Sequence, residues 1–254
     1  MTAVELSHVN KQFPNMGYKA LDDVSVRIEE GEFITILGSS GCGKTTLIKM
    51  LNRLYEPDEG TIRLFGKDIK EQDPVQLRRG IGYVIQQIGL FPHMTVRDNI
   101  ATIPKILKWD KERIDEQVDR MLSLVTLEPK EFRDRYPAQL SGGQQQRIGL
   151  ARALICDPTI MLLDEPFGAI DAINREKLQT ELKRIHEESR KTYLFVTHDI
   201  REAFKLGTRV IIMDKGKILQ FAESEEIVNH PADEFVKNLL CAAGIDNGDV
   251  SEWW

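Results

Sequence analysis

Short runs of apolar residues alternate along the chain with stretches in which apolar residues recur every three or four positions. The runs typical of strands are residues 25–29, 33–37, 160–163, 193–197 and 209–213. Residues 61–69 predict a small hairpin that turns at Phe65-Gly66. Helices are predicted for residues 45–54 and for the face formed by Leu178, Leu182 and Ile185. Apolar strands separated by helices are typical of an α/β fold with a buried parallel sheet.

The middle of the chain, from about residue 90 to residue 137, lacks such strand signals. Its apolar residues fall at helical spacing, with charged residues between them: Ile114, Val118, Met121, Leu122 and Val125. A further helix is predicted from about residue 143 to residue 155. This block therefore predicts a helical subdomain inserted into the α/β fold. The closing part of the chain predicts helix as far as Leu240 and then a polar end.

The composition is that of an ordinary globular protein, with 41% hydrophobic and 29% charged residues, which excludes disordered and fibrous classes. The net charge of −6 argues against a dedicated nucleic-acid binder, so no nucleic-acid partner is expected. No apolar run approaches the roughly 18 residues of a membrane span, and the first residues lack the apolar core of a signal peptide. Any membrane role is therefore expected to come through a partner. Cys42, Cys156 and Cys241 show no pair spacing, so neither a disulfide framework nor a zinc site is predicted.

A candidate phosphate-binding motif directly follows the predicted strand 33–37. It matches the pattern GxxxxGK[ST] and reads Gly38-Ser39-Ser40-Gly41-Cys42-Gly43-Lys44-Thr45. Its glycines allow successive backbone N–H groups to curl round phosphates, Lys44 would reach the β and γ phosphates, and Thr45 would supply a hydroxyl to Mg²⁺. We include the next residue, Thr46, in the predicted nucleotide-binding set. An ordinary glycine-rich turn would not explain why the motif lies between a buried strand and a helix.

A second candidate element is the predicted strand 160–163, which ends in Asp164-Glu165. Asp164 would hold Mg²⁺, directly or through water, and Glu165 would polarise the attacking water. Strands often end in acidic residues, so this feature alone is a weak indication of a nucleotide site. It becomes a strong one because a phosphate loop lies about 120 residues earlier. The two elements together still describe kinases, GTPases and recombinases as well as other ATPases.

The stretch that separates these classes reads Leu140-Ser141-Gly142-Gly143-Gln144-Gln145-Gln146-Arg147. It predicts a second anion-binding helix N-terminus, with one serine and two glycines. Ser141 as an N-cap would explain the serine but not the glycine pair, because glycine costs about 1 kcal/mol in a helix. Close backbone approach to a phosphate would explain the pair. Two phosphate-seeking ends in different subdomains suggest that each binds the nucleotide of a different subunit, which predicts a homodimer. The stretch resembles the LSGGQ signature of ABC ATPases.

Three further positions are assigned by this resemblance. Gln86 matches the glutamine that joins the core to the helical subdomain and senses Mg²⁺, with Gln87 as the rival position. His198 matches the histidine that contacts the γ phosphate. Asp171 matches the aspartate at the dimer seam, although it follows a glycine, alanine and isoleucine where the family usually has serine, alanine and leucine. Glu165, His198 and Gln86 thus form the predicted catalytic set.

The resemblance also implies an aromatic residue stacked on adenine. Phe13 is the first candidate and Tyr18 the competing one, because residues 14–19 look like a small insertion. Cys42 occupies a position where the family often has serine or cysteine, and no redox role is assigned to it.

The fold that the resemblance implies is a P-loop (RecA-like) ABC ATPase core with an antiparallel β subdomain and an inserted α-helical subdomain. A single domain is expected over residues 1–240, with the core at about 1–87 and 158–240, the helical subdomain at about 88–157, and a tail at 241–254. The implied cofactors are ATP and Mg²⁺. The implied partners are a second copy of the chain, integral membrane permease subunits and, indirectly, an extracytoplasmic solute-binding protein. Such a protein would lie peripherally at the cytoplasmic face of the cell membrane.

Single copies of each motif in 254 residues fit a transport ATPase better than tandem translation factors or chromosome-maintenance ATPases. An importer is expected, because exporters more often fuse the ATPase to the membrane domain. Residues 73–92 and 231–236 are similar to the ATPases of osmoprotectant importers, whose cargo is glycine betaine, carnitine or choline. An importer of another small polar solute, such as an amino acid, is the alternative. Many of those ATPases carry C-terminal regulatory CBS modules, which the printed sequence is too short to hold, so ionic-strength sensing by this subunit is not expected.

Overall fold

The computed structural model describes residues 1–14, 17–86 and 89–245. The strands are β1 (Thr2–Gln12), β2 (Lys19–Glu29), β3 (Phe33–Gly38), β4 (Glu59–Leu64), β5 (Lys67–Asp68), β6 (Ile81–Val84), β7 (Ile160–Asp164), β8 (Thr192–Val196), β9 (Arg209–Asp214) and β10 (Lys217–Ala222). The helices are α1 (Lys44–Leu51), α2 (Pro74–Arg79), α3 (Val96–Ile100), α4 (Thr102–Ile106), α5 (Lys111–Leu124), α6 (Pro129–Phe132), α7 (Gly142–Leu154), α8 (Ala172–Ser189), α9 (Ile200–Leu206), α10 (Ser224–Asn229) and α11 (Glu234–Ala242).

The chain divides into two compact units. The first unit combines Met1–Arg78 with the part of the chain from Arg190 onward, and the second unit is Arg79–Ser189. The predicted helical subdomain, about residues 88–157, falls within the second unit, and its limits stay a prediction. Within the described ranges, no helix combines the length and the apolar character needed to cross a bilayer.

Two sets of strands organise the first unit. An antiparallel sheet has the order β2-β1-β4-β5, which agrees with the implied antiparallel β subdomain. In the other set, β3 lies between β8 and β9 and runs parallel to both, and β10 pairs antiparallel with β9. β3 is buried at every residue because it is covered on both faces, as its continuous apolar run predicts.

The second unit is mainly helical. β6 and β7 pair in parallel, with Ile81 opposite Ile160 and Val84 opposite Leu163. The predicted amphipathic helix is α5, which buries Ile114, Val118, Met121 and Leu122. α7 packs against α3, α5 and β6. The helix that the signature stretch predicts therefore forms the centre of this unit.

The predicted elements are confirmed, but three strands were not predicted. β1 contains His8 with a left-handed backbone (φ 51°) and a register shift between Leu6 and Val9, which break the alternation of buried side chains. β6 has only four residues, and β10 is half-buried over most of its length, so neither shows a clear period. A periodicity argument misses strands of these kinds.

Two predicted helices differ in detail from the structure. α1 ends at Leu51 rather than at Leu54, because Arg53 adopts a left-handed conformation (φ 50°) and its N–H bonds to the carbonyl of Met50. α8 buries His186, whereas the predicted Ile185 is only half-buried. Periodicity thus found both helices, but not their exact ends or faces.

Candidate active site

The phosphate loop joins β3 to α1 in the first unit. A Cβ atom on Gly38 (φ 154°) would lie 2.0 Å from the carbonyl oxygen of Met213, and one on Gly43 (φ 111°) would lie 2.4 Å from that of Ala20. Gly41 (φ 79°) faces open space, so its backbone angle alone favours glycine. The neighbouring backbone therefore fixes the path of the loop, and only glycine fits at its two ends.

Lys44 is the first residue of α1, and its side chain lies back across the loop. The residue is 7% exposed, and Nζ donates to the carbonyl oxygens of Gly38 (2.8 Å) and Ser39 (2.9 Å). Nζ also lies 3.8 Å from Sγ of the buried Cys42. The Lys44 ammonium, held here by two carbonyl oxygens, could turn its N–H groups toward a phosphate bound in the loop.

The remaining residues of the loop lie at its surface and at the start of the helix. Ser39 and Ser40 are exposed, whereas Thr45 and Thr46 are half-buried. Ser39 Oγ donates to Asp214 Oδ1 at 2.8 Å, which ties the loop to the end of β9. Sequence reasoning missed Asp214, because nothing in the motif points to a residue about 175 positions away.

His198 leaves the same edge of the first unit's strands as the phosphate loop. β3 and β8 are parallel neighbours with Ile36 opposite Val196, so the loop and His198 follow the carboxyl ends of adjacent strands. The His198 side chain is exposed. Its backbone is fixed on both sides, because Asp199 N donates to Thr197 Oγ1 at 3.0 Å and the Asp199 carboxylate caps α9.

The two candidate aromatic residues differ in their surroundings. Phe13 is half-buried, with its ring edge-on to Tyr55 at 5.1 Å between centroids. Lys11 Nζ lies 5.6 Å from the centre of the Phe13 ring. Tyr18 is 58% exposed. Phe13 is thus the better anchored of the two, and adenine stacking stays a prediction.

In the second unit, β7 ends at the predicted acidic pair. Asp164 is 1% exposed, whereas Glu165 is half-buried and adopts a left-handed backbone conformation (φ 49°). Gln86 is exposed, and its Nε2 donates to Glu165 Oε2 at 3.3 Å. The structure therefore brings two of the predicted catalytic residues into contact. The rival Gln87 lies outside the described residues.

The signature stretch begins α7 as predicted, with Ser141 as its N-cap. Ser141 Oγ accepts from Gln144 N at 3.3 Å, and Gln144 Oε1 accepts from Ser141 N at 2.9 Å, which completes a capping box. A Cβ atom on Gly143 would lie 3.0 Å from the carbonyl oxygen of Ala169, and one on Gly142 would lie 3.9 Å from the Ala169 side chain. Close packing against Ala169 therefore favours glycine at position 143. The sequence-based explanation, close approach of a phosphate, did not include this contact.

Asp171 directly precedes α8 and is exposed. Its carboxylate accepts from Asn174 Nδ2 at 2.7 Å and from Asn174 N at 3.1 Å, and these bonds lower the pKa of Asp171. Sequence reasoning also missed Gln146, which bonds to the backbone on both sides of the turn that follows β7. A glutamine within a helix carries no local signal of such a role.

Three predicted site residues, Thr45, Asp164 and Gln86, are assigned to Mg²⁺. Among residues 1–14, 17–86 and 89–245, no three His, Cys, Asp or Glu side chains gather as a metal-binding cluster. Mg²⁺ in nucleotide sites usually takes one or two protein oxygens, with phosphates and waters completing its octahedron. Each of these three residues carries a side-chain oxygen of that kind, and a shared Mg²⁺ site stays a prediction.

Comparison with known proteins identifies the family of the chain. A family model described as ABC transporter matches residues 21–168. The carnitine transport ATP-binding protein of Listeria monocytogenes serotype 1/2a is 52% identical over 93% of this chain and 59% of that protein. The glycine betaine uptake system ATP-binding protein of Escherichia coli K12 is 47% identical over 93% of this chain and 76% of that protein.

A solved dimeric structure of the ATP-binding cassette MJ0796 in a post-hydrolysis state, bound to ADP and Pi, is also similar. It matches with a TM-score of 0.80 and 36% identity, over 87% of this chain and 98% of that one. The predicted fold class, a P-loop ABC ATPase, is thereby confirmed.

The chain belongs to the ABC transporter family. It spans 59% to 62% of the length of the carnitine and choline transport ATP-binding proteins that it resembles.

Proposed function

We propose that this protein is the ATP-binding and ATP-hydrolysing subunit of an ABC importer. The observation that carries the proposal is the contact between Gln86 and Glu165 at the end of β7, in a chain whose glycine-bounded loop holds a buried Lys44. A carboxylate oriented by an amide donor is suited to accept a proton from water. A glycine-rich loop that opens a helix and has a lysine ammonium lying across it is suited to hold phosphates.

The roles of the residues follow from their chemistry. The loop from Gly38 to Gly43 and Lys44 would bind the phosphates of ATP, and Phe13 would stack on adenine. Thr45, Asp164 and Gln86 would hold Mg²⁺, which when bound neutralises phosphate charge. Glu165 would accept the proton of the attacking water, while Gln86 keeps its carboxylate in place. His198 would donate to the γ phosphate.

The working form would be a homodimer. Ser141, Gly142 and Gly143 of one copy would complete the nucleotide site of the other, and Asp171 would lie at the seam. The start of α7 offers backbone N–H groups and the positive end of a helix dipole. The dimeric state of the MJ0796 cassette supports this assembly.

The proposed cargo is a quaternary-amine osmoprotectant: glycine betaine, carnitine or choline. Relatives named for the transport of carnitine, choline and glycine betaine, at 47% to 52% identity, support it. Integral permease subunits would receive the conformational change through a groove near residues 88–95, of which Ile88 lies outside the described residues. A solute-binding protein would deliver the cargo, and this subunit would lie at the cytoplasmic face of the membrane.

The hydrolytic role is tested by Glu165→Gln. We expect the variant to bind MgATP but to hydrolyse it at least about a hundredfold more slowly, because the water loses its proton acceptor. It should also accumulate as an ATP-bound dimer on a sizing column. Glu128→Gln is the matched control, because it removes one charge from an exposed residue of the same unit. Near-normal turnover of Glu165→Gln would remove Glu165 from the proposed role.

The cargo is tested separately in cells. Uptake of radiolabelled betaine, carnitine and choline is measured in high-salt medium, in a strain without redundant carriers. Parent cells are compared with cells that carry Lys44→Ala. We expect uptake of at least one of these solutes to be lost. Unchanged uptake of all three would favour the alternative, an importer of another small polar solute, and would leave the ATPase proposal intact.

A further inference from the structure

Gln146 joins α7 to both ends of the turn that follows β7. The residue is 5% exposed. Its Nε2 donates to the backbone carbonyl oxygen of Glu165 at 3.0 Å, and its Oε1 accepts from the backbone N–H of Ala169 at 2.7 Å. Both polar ends of the amide are therefore satisfied, and their chemistry fixes which end faces which residue. One buried side chain bridges residues that lie 19 and 23 positions away.

The bond to Glu165 acts on a constrained peptide. Glu165 has a left-handed backbone (φ 49°), which a residue with a side chain adopts only at an energetic cost. Its carbonyl oxygen also accepts from Gly168 N at 3.3 Å. Orienting this carbonyl orients the peptide plane and hence the direction of the side chain. The Glu165 carboxylate in turn meets Gln86 Nε2 at 3.3 Å.

The bond to Ala169 acts on the other end of the turn. The Ala169 carbonyl lies where a Cβ atom on Gly143 would come within 3.0 Å, so this residue packs closely on the first turn of α7. A shift of α7 would therefore be passed to the turn both by this packing and by the Gln146 amide. The neighbouring Gln145 makes no such link, since its Nε2 donates to the carbonyl oxygens of Pro137 and Leu140.

We infer that Gln146 is a positioning residue that holds the Glu165 carboxylate in its working orientation and ties it to the helix that begins with the signature stretch. This inference rests on the proposed role of Glu165. Gln146 does not need to touch nucleotide, because its side-chain amide bonds to the backbone of Glu165 and Ala169. Its loss should therefore lower kcat and leave nucleotide binding unchanged.

A double-mutant cycle in the full chain tests this inference. We expect Gln146→Ala to lower kcat about tenfold, with the KM for ATP and the affinity for a fluorescent ATP analogue within about twofold of the parent. In a Glu165→Gln background the same change should lower single-turnover hydrolysis by less than about twofold, since the group that Gln146 positions has already lost its function. Losses that multiply in the double variant would overturn the inference.

Gln146→Glu keeps the shape of the side chain, so it addresses the case in which the alanine variant does not fold. It preserves an acceptor for Ala169 N but places a carboxylate oxygen where Nε2 donated to Glu165. We expect a loss of kcat at least as large as that of Gln146→Ala. A kcat within about twofold of the parent would contradict the inference.

Gln220 offers a matched control in the other unit. Its amide makes the same two-ended bridge, with Nε2 donating to His230 O at 2.8 Å and Oε1 accepting from Ala232 N at 3.0 Å. Gln220→Ala should leave kcat within about twofold of the parent value. That result would show that losing a two-ended amide bridge does not by itself lower kcat. An equal fall in kcat for Gln220→Ala and Gln146→Ala would indicate a general effect on folding and would overturn the inference. Near-normal turnover of Glu165→Gln alone would instead remove Glu165 from its proposed catalytic role, on which this inference rests, and would leave the ATPase proposal standing.

Discussion

Two helices of this molecule begin in glycine-rich sequence, α1 after the phosphate loop and α7 at the signature stretch. Their starts are built differently. Among the described residues no side chain caps α1, whose N-cap is Gly43 with φ 111°. α7 has Ser141 as its N-cap and a complete capping box with Gln144. One helix start therefore has no side-chain cap among the described residues, and the other is capped by its own chain.

The difference bears on which ligand each end can take. A helix leaves its first N–H groups without partners in the helix, so an uncapped start favours an anion held by the same subunit. A capped start has less need of an anion. The signature end is then better suited to a phosphate that a second subunit brings with it, when both surfaces are desolvated together. We therefore expect changes at the start of α1 to affect nucleotide binding by one subunit, and changes at the start of α7 to affect the assembly of two subunits.

The largest effect is expected at the phosphate loop. Gly43→Ala would place a Cβ atom 2.4 Å from the carbonyl oxygen of Ala20 in a left-handed conformation, so the loop must distort. We expect nucleotide affinity to fall at least about a hundredfold and the free energy of unfolding to fall by about 2–4 kcal/mol. Titration with a fluorescent ATP analogue and thermal melting measure the two effects.

Gly41→Ala is the matched control for that change. At Gly41 (φ 79°) a Cβ atom would meet no heavy atom within 4 Å, so only the cost of the backbone angle remains, about 1–2 kcal/mol. Nucleotide affinity should fall much less than in Gly43→Ala. Equal losses in the two variants would mean that close packing does not determine the loop.

The next effect concerns the signature end. Ser141→Arg adds a long charged side chain to an exposed N-cap. We expect binding of nucleotide to the monomer to survive, ATP-dependent dimerisation to disappear, and hydrolysis to fall at least about thirtyfold, because the partner's site stays incomplete. Sizing chromatography with and without ATP measures the assembly. Hydrolysis at the parent rate would contradict the shared site.

The sequence motifs predicted where the strand and helix ends of the candidate site lie, whereas the residues that support these ends could not be predicted; the binding roles stay predictions. The phosphate loop, the acidic end of β7 and the N-cap at Ser141 follow from local residue order, because each combines a strand or helix end with a fixed set of side chains. Asp214 and Gln146 could not be predicted in this way. Their roles depend on which distant groups the fold places beside them: the Ser39 hydroxyl for Asp214, and backbone groups of Glu165 and Ala169 for Gln146.

The same limit applies to the fold. The α/β pattern and the helical middle could be predicted because buried faces repeat with a regular period. β1 was missed because a left-handed residue, His8, breaks its period. Gly143 was assigned to phosphate approach, although contact with Ala169 of the same chain also restricts that position. Sequence spacing alone does not distinguish a glycine that approaches a ligand from one that approaches its own backbone.

A smaller effect is expected at the two glycines that begin α7, where approach of a phosphate and packing against Ala169 are the two explanations for glycine. Gly142→Ala has room for its side chain, with 3.9 Å to Ala169, and should stabilise the monomer by up to about 0.5 kcal/mol. Gly143→Ala must move the Ala169 carbonyl from 3.0 Å, and should be less stable than Gly142→Ala by about 1 kcal/mol. Urea unfolding of the two variants measures the difference. If Gly142→Ala is stable but hydrolyses ATP slowly, approach of a partner's phosphate is supported at that residue; equal stabilities would contradict the packing argument for Gly143.

The smallest effect is a pH dependence at the start of α8, a third helix start, which Asp171 precedes. Hydrogen bonds from the Asn174 side chain and backbone lower the pKa of Asp171 below its ordinary value of 3.8. A carboxyl group whose pKa is lower in the folded state contributes stability above its unfolded pKa, and that contribution is lost as the pH falls through the folded pKa. Asp171→Asn should therefore melt slightly below the parent at about pH 6, and the gap should close as the pH falls through the lowered pKa of Asp171. Paired thermal melts across this range test the prediction, with Asp134→Asn as a control for the loss of one negative charge. A gap that persists at the lowest pH would show that the carboxylate form of Asp171 does not stabilise this helix start.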